Sequence, residues 1–336
     1  MSTPINVPTL YAIGSVVAGY SHSCGLAQGV ALCWGANVFG VLGVGSIGGV
    51  ALQPTPVQAG GVAFVQLVSG GYHNCGLTAA GEAWCWGWNA EGQTGIGSVG
   101  SPVILPQRVQ DGGLRFASLA AGESHTCGLT AAGVAYCWGG NARGELGSDP
   151  GVIGAQRPTP TMVPGVPALS LIDGGTLHSC ALATTGEAWC WGDRTSGQTG
   201  DGVVDGAITS PHLVSGTMSW AHLATAGSTT CAVEAGTLDA WCWGRGDQGS
   251  LGNGAFPAHS ALPVLAGSLL LQGPALTTPR VDVGPASGAP GSIVCATTTL
   301  GTVLCWGPGG RGQLGDGTLT PRRAVAAPVL VGPPTE

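Results

Sequence analysis

Lysine is absent from this 336-residue sequence: all ten basic residues are arginine, only 8% of the chain is charged, and the formal net charge is −7. That balance favours solubility and excludes nucleic acid as a general partner, because such binding rests on neutralising phosphates with clustered cations. No apolar run reaches the ~18–20 residues of a membrane-spanning helix. The opening MSTPINVPTLYAIG lacks a basic stretch followed by an apolar one, so no signal peptide is legible. An exported form would have lost its signal and gained Met1. Signatures of common catalytic machinery are missing too: there is no G-x-S-x-G elbow, no H-E-x-x-H and no phosphate loop. The glycine-rich GDQGSLGNG and GPGGRGQLGDG belong to a repeat and do not join a strand to a helix. The chain reads as a non-enzyme without cofactor or metal.

What is abundant is glycine, with 62 residues, and hydrophobic side chains at 44%, including eleven tryptophans. That is enough to bury a sizeable core and argues against disorder. The twelve cysteines fall into six pairs: Cys24 and Cys33, Cys75 and Cys85, Cys127 and Cys137, Cys180 and Cys190, Cys231 and Cys242, Cys295 and Cys305. First members lie 51, 52, 53, 51 and 64 residues apart, a period of about 52 with an insertion at about 267–292. Trp-Gly follows every second cysteine, at Trp34, Trp86, Trp138, Trp191, Trp243 and Trp306, and glycine recurs six and nine residues beyond each tryptophan. Self-similarity at this period marks a propeller or a solenoid.

Each unit reads as short strands. LRFASLAAGESHTCGLTAAGVAYCWG contains the apolar runs ASLAAG, SHTCGL and VAYCWG, parted by glycine-bearing turns. The following RPTPTMVPG is proline-rich, which suits an outer edge strand. Four strands, radially repeated, make a propeller blade. The fold class is therefore all-β: a single β-propeller domain over 1–336 with six visible four-stranded blades, or seven if the sequence is truncated. PINVPTLYAIGSVVAG at the start aligns with an outer-strand segment, and PRRAVAAPVL near the end is another. Seven outer strands for six hairpins predict that one terminus closes the ring on the other end's blade.

The cysteines sit directly opposed if CGLTAAGEAWC is a hairpin, with Cys75 facing Cys85 and a three-residue turn at Ala79-Ala80-Gly81. Length differences among the repeats fall inside this turn, so the opposition is kept. Opposed cross-strand side chains have Cβ atoms ~4.5–5.5 Å apart, within modest adjustment of a disulfide. Six disulfides are expected in preference to buried thiols or zinc, and such density belongs to an oxidising compartment. The six post-cysteine tryptophans are read as structural, packing against the next blade. Trp84, Trp189 and Trp241, two residues earlier on the same face, join that layer, and Trp220 takes the core position of Phe64 and Phe116.

The pattern Gly-x-x-His before the second strand, then Trp-Gly-x-Asn-x-x-Gly-x-Leu-Gly, resembles the regulator of chromosome condensation repeat. It is complete in GYSHSCGL…CWGANVFGVLG and in GESHTCGL…CWGGNARGELG. The resemblance covers essentially the whole chain and is to a cysteine-rich, bacterial-type member. The family's usual propeller has seven blades. It implies a structural role for His22, His73, His125 and His178, against a metal reading of these four equivalent histidines. Nucleotide-exchange members use a wedge loop and basic segments not found here. Light-sensing members carry tryptophan two residues before the repeat histidines, where this chain has Tyr20, Gly71, Glu123 and Thr176. Members that capture a protein with one loop face need only a rigid ring and variable loops.

The loops after each Trp-Gly vary on that fixed scaffold, which is how a recognition surface is built. Phe39, Trp88, Glu91, Arg143, Arg194, Arg245 and Arg311 are the candidate binding residues, and Trp88 is the strongest contact candidate because it is an aromatic in a loop. The Leu269-Leu270-Leu271 run in the insertion is a second candidate. The sequence reads best as a secreted, periplasmic or cell-surface binding scaffold for a protein or other surface macromolecule. An intracellular nucleotide-exchange factor or regulator, with reduced cysteines, is one alternative. A structural component of a larger surface assembly is the other.

Overall fold

The computed structural model describes residues 12–148, 151–269, 280–285 and 292–329. They form six four-stranded antiparallel sheets, each made of four strands consecutive in sequence and ordered from first to last across the sheet. This is an all-β propeller of six blades. The second blade shows the plan: an inner strand Gln66–Ser69, a central hairpin of His73–Leu77 and Ala83–Asn89, and an outer strand Gly100–Arg108.

The hairpin register agrees with the sequence reading. Cys75 faces Cys85, Gly76 faces Trp84 and Leu77 faces Ala83. The pairing recurs with Cys24 opposite Cys33, Cys127 opposite Cys137, Cys231 opposite Cys242 and Cys295 opposite Cys305. All six pairs lie at disulfide distance, with S–S separations of 2.07–2.10 Å.

The Trp-Gly dipeptide has a backbone cause. Pairing between third and outer strands shifts register between Cys85 and Gly87, a bulge that recurs at Cys33/Gly35, Cys137/Gly139, Cys242/Gly244 and Cys305/Gly307. Gly87 adopts φ +101°, where L side chains are disfavoured, and a Cβ there would lie 2.6 Å from the Tyr72 carbonyl oxygen.

The chain forms two compact units, residues 12–179 with 208–211 and residues 180–207 with 212–329. In the first, Trp86 is buried with Cys24, Cys33, Val41 and Phe64, and Trp138 with Cys75, Cys85, Val109 and Phe116. In the second, Trp306 is buried with Cys231, Cys242, Leu251 and Val281. The tryptophans thus pack against the cysteine hairpin of the preceding blade. The sequence reading had them facing the next blade, but the indole leans back over the loop its own nitrogen bonds to. Trp220 lies 5.8 Å from Trp243 between ring centroids and is 5% exposed, a core position like those of Phe64 and Phe116.

The 267–292 segment is only partly an insertion. It carries Arg280–Pro285, the inner strand of the sixth blade, which pairs with Ser292–Thr297. The blade ends on Arg322–Pro328, so its outer strand comes from the C-terminal segment, as the PRRAVAAPVL reading requires. Leu269 is buried, whereas Leu270 and Leu271 lie outside the described residues. The outer strand expected at residues 4–11 lies outside them too, and among the described residues no sheet takes a strand from both ends of the chain.

Candidate functional site

Loops between inner and second strands and loops between third and outer strands emerge at the same end of a blade, opposite the hairpin turns. In the first unit, two such loop sets bring four aromatic rings together. Phe39, from the first blade's post-tryptophan loop, and Trp88, which stands at the end of the second blade's third strand and not in the loop the sequence suggested, meet with ring centroids 4.0 Å apart and planes tilted 47°. Phe39 also packs edge-on against Tyr72 at 5.4 Å and 81°, and Tyr72 packs edge-on against Tyr20 at 5.4 Å and 81°. All four rings are half-buried, so part of each faces solvent.

Backbone bonds fix this cluster. The amide of Trp88 donates to the Tyr72 carbonyl at 2.7 Å, and the amide of Tyr20 donates to the Gly71 carbonyl at 3.1 Å. Asn89 holds the loop behind Trp88, accepting from the amide and hydroxyl of Thr94 and donating to the Ser98 carbonyl. Phe39 stands in the left-handed region at φ 57°, ψ 19°. Among the described residues its counterparts Glu91, Arg143, Ser196, Gln248 and Arg311 do not. Holding a phenylalanine there costs roughly 1–2 kcal/mol.

Tyr20 continues the cluster to a carboxylate. Burial, then the charge of the neighbouring Glu123, raise the pKa of its hydroxyl above the ordinary phenol value. Gly71 makes the room: a Cβ there would sit 3.1 Å from both Glu123 Cγ and Tyr20 Cε2. Glu91, half-buried on the loop after Trp88, accepts a hydrogen bond from the Gln156 side chain. Arg143, on the third blade's equivalent loop, is exposed, and its backbone amide rather than its guanidinium bonds Glu145 at 2.7 Å.

The remaining binding candidates belong to the second unit, and two of them serve their own loops. Arg245 makes two bonds to Asp247, at 2.8 and 3.0 Å, and Arg194 bonds Asp201 at 3.1 Å and the Asp205 carbonyl at 2.6 Å. Arg311 is exposed. The structure therefore joins Phe39 and Trp88, places Glu91 on the loop after Trp88, and engages Arg194 and Arg245 with acidic residues of their own loops. Tyr20, Tyr72 and Glu123 were missed as contacts. Their signal was present, since the positions before each repeat histidine also vary on a fixed frame.

The histidines are buried between blades. Nε2 of His22 bonds Asn74 Oδ1 at 2.9 Å, that of His73 bonds the Thr126 hydroxyl at 2.8 Å and that of His125 bonds the Ser179 hydroxyl at 2.9 Å. Those two hydroxyls donate onward, to the carbonyls of Gln93 and Glu145. Each Nε2 must then carry the proton, and Nδ1 faces the backbone of Gly19, Gly70 or Gly122. Burial pushes the pKa of His73 down to about 3, of His125 to about 4 and of His178 to about 3. Among the described residues no group of three metal-ligating side chains comes together. Among the described residues no helix is long and apolar enough to cross a membrane. Trp34 differs from its five fully buried counterparts: it is half-buried and, with Tyr20 and His22, lines a shallow cavity of about 180 Å³. It belongs to the first blade, which has no preceding blade in its own unit.

The family model described as regulator of chromosome condensation (RCC1) repeat matches residues 64–93, 116–145 and 170–198, and a second model of that repeat matches 80–129. The mouse E3 ubiquitin-protein ligase HERC2 is 29% identical over 91% of this chain, which spans only 6% of that ligase's length. The ultraviolet-B receptor UVR8 of Arabidopsis thaliana is 27% identical over 91% of this chain and 68% of its own. Yeast RCC1 (Prp20), in its crystal structure with Kap60, superposes with a TM-score of 0.77 at 20% identity, over 95% of this chain and 75% of that one. At that identity the likeness shows the fold alone. These relatives, from mouse, plant and yeast, lend no support to a bacterial type.

Proposed function

We propose that this chain, which carries regulator of chromosome condensation repeats and folds as their propeller, is a non-catalytic binding protein that recognises another macromolecule with the loop face around Phe39 and Trp88. The observation that carries the reading is the Phe39–Trp88 contact. Two half-buried rings from adjacent blades meet at 4.0 Å, and one of them is held in a backbone conformation its counterparts avoid. Strain kept at a solvent-facing aromatic marks a site under a demand other than stability. Aromatic anchors ringed by polar loops are also the usual centre of a protein interface. The crystal structure of yeast RCC1 with Kap60 supports a propeller of this fold in a protein-binding role. Six cysteine pairs at disulfide distance suit an oxidising environment, and the reading places the protein outside the cytoplasm as a secreted or cell-surface scaffold.

The test is site-specific photo-crosslinking in the native host. A photoreactive residue at 88 should capture a discrete partner, while one at Ala80, in a hairpin turn at the opposite end, should not. Capture only from position 80, or from neither, overturns the reading.

A further inference from the structure

We propose that the corner formed by Tyr20, Phe39, Tyr72 and Trp88 beside the Glu123 carboxylate holds a guanidinium, so that the partner presents an arginine from a basic protein segment. This rests on the reading of that face as the binding surface and adds the chemistry it reads.

Ring orientation comes first. The planes meet at 47°, 81° and 81° and form no flat platform. A sugar ring stacks on a flat aromatic platform, whereas rings set at steep angles present separate negative faces, over any of which a compact cation can sit. A guanidinium fits best because it is planar, stacks on rings and offers a fork of donors to a carboxylate.

Charge is the second, independent observation. Glu123 stands beside Tyr20 with its methylene 3.1 Å from the space that Gly71 leaves empty. Glu91 adds a second carboxylate on the loop after Trp88. The whole chain has 17 acidic against 10 basic residues, so the complementary partner segment is basic. Exposed Arg143 on the third blade's post-tryptophan loop disfavours a cation at that loop.

The experiment titrates the full chain with the peptide Ac-GRGRGRG-NH2 and with its citrulline counterpart, equal in shape but neutral, following tryptophan fluorescence and calorimetry. Cellohexaose serves as a neutral sugar probe. The arginine peptide should bind about tenfold or more tightly than the citrulline peptide. Trp88→Ala should remove most of that binding, Trp88→Phe should keep much of it, and Glu123→Gln should weaken it about three- to tenfold and flatten its salt dependence. An unchanged melting temperature and no alkylatable thiols identify variants that still fold. If both peptides bind alike, the face binds but does not read charge, and the inference falls while the broader reading stands. Cellohexaose binding in place of the arginine peptide, lost in Trp88→Ala, overturns it in favour of a carbohydrate. If no peptide binds while position 88 still captures a partner, the inference alone falls; if neither occurs, both fall.

Discussion

Trp138 donates its indole N–H to the carbonyl oxygen of Gln93, 3.0 Å away and 45 residues earlier. The same oxygen accepts the Thr126 hydroxyl at 2.9 Å. Trp86 reaches Val41 and Trp243 reaches Gln198 over the same 45 residues, and Trp306 reaches Ser250 over 56, a span that crosses the added residues before the sixth hairpin. One loop carbonyl in a blade latches the blade that follows. Trp138→Phe should therefore cost roughly 2 kcal/mol, about half from the lost bond and half from lost volume, and Trp138→Ala about 3–5 kcal/mol. A urea midpoint that falls at unchanged slope would show this; no shift in either variant would refute the latch.

Acid should loosen the protein before the carboxylates titrate. His73, His125 and His178 have folded pKa values of about 3, 4 and 3, against an ordinary value of 6.5. Between those limits the unfolded chain binds protons that the folded one refuses. The stability these groups supply is therefore complete above pH 6.5, declines as pH falls and levels off near pH 3. His73→Gln retains a donor toward Thr126 but cannot titrate, so its denaturation midpoint should be lower at pH 7 and less steep between pH 6 and 4. An equal slope in wild type and variant would remove His73 from the account.

Alkylation of the denatured, unreduced protein should label no cysteine, and mass spectrometry should recover each hairpin as one linked pair. Eleven of the twelve cysteines are at most 3% exposed in the folded protein, and Cys295 is half-buried. Native protein should consequently resist millimolar dithiothreitol that reduces the unfolded chain within minutes. Replacing both Cys127 and Cys137 by alanine should cost at most about 2–3 kcal/mol, since the loop closed is short. Extensive labelling of protein from the native host would return the search to cytosolic partners.

Phe39→Gly separates stability from recognition. Glycine accepts φ 57° without penalty, so relief of strain offsets much of the lost ring contact, and the melting temperature should change by less than about 3 °C. Partner capture from position 88 should nevertheless drop sharply. If capture is unchanged, Phe39 belongs to the frame and not to the site.

Much of the architecture was legible before any coordinates, because a repeat repeats its physics. Cys75 opposite Cys85 followed from hairpin pairing and from length changes confined to the turn. The glycine after each tryptophan followed a rule whose reason, a bulge at positive φ, needed the fold. Trp88 was legible as an aromatic at a position where other blades have Ala36 or Gly140, but not as the end of a strand, which is where the pairing with the outer strand puts it. The direction in which the tryptophans lean was not, because periodicity does not say which neighbour a side chain covers. Arg194 and Arg245 looked like contacts for the same reason: a sequence does not disclose that Asp201 and Asp247 engage them.

The sequence by itself determined the six units, their strands and the opposition of the cysteines, since these depend on neighbours along the chain and across one hairpin. Tertiary structure alone decided that Tyr20, Phe39, Tyr72, Trp88 and Glu123 share one corner. Those residues come from three successive units, with up to about two repeats between them. Their meeting depends on how one blade is rotated against the next, which is set by packing between sheets and not by any pattern within them.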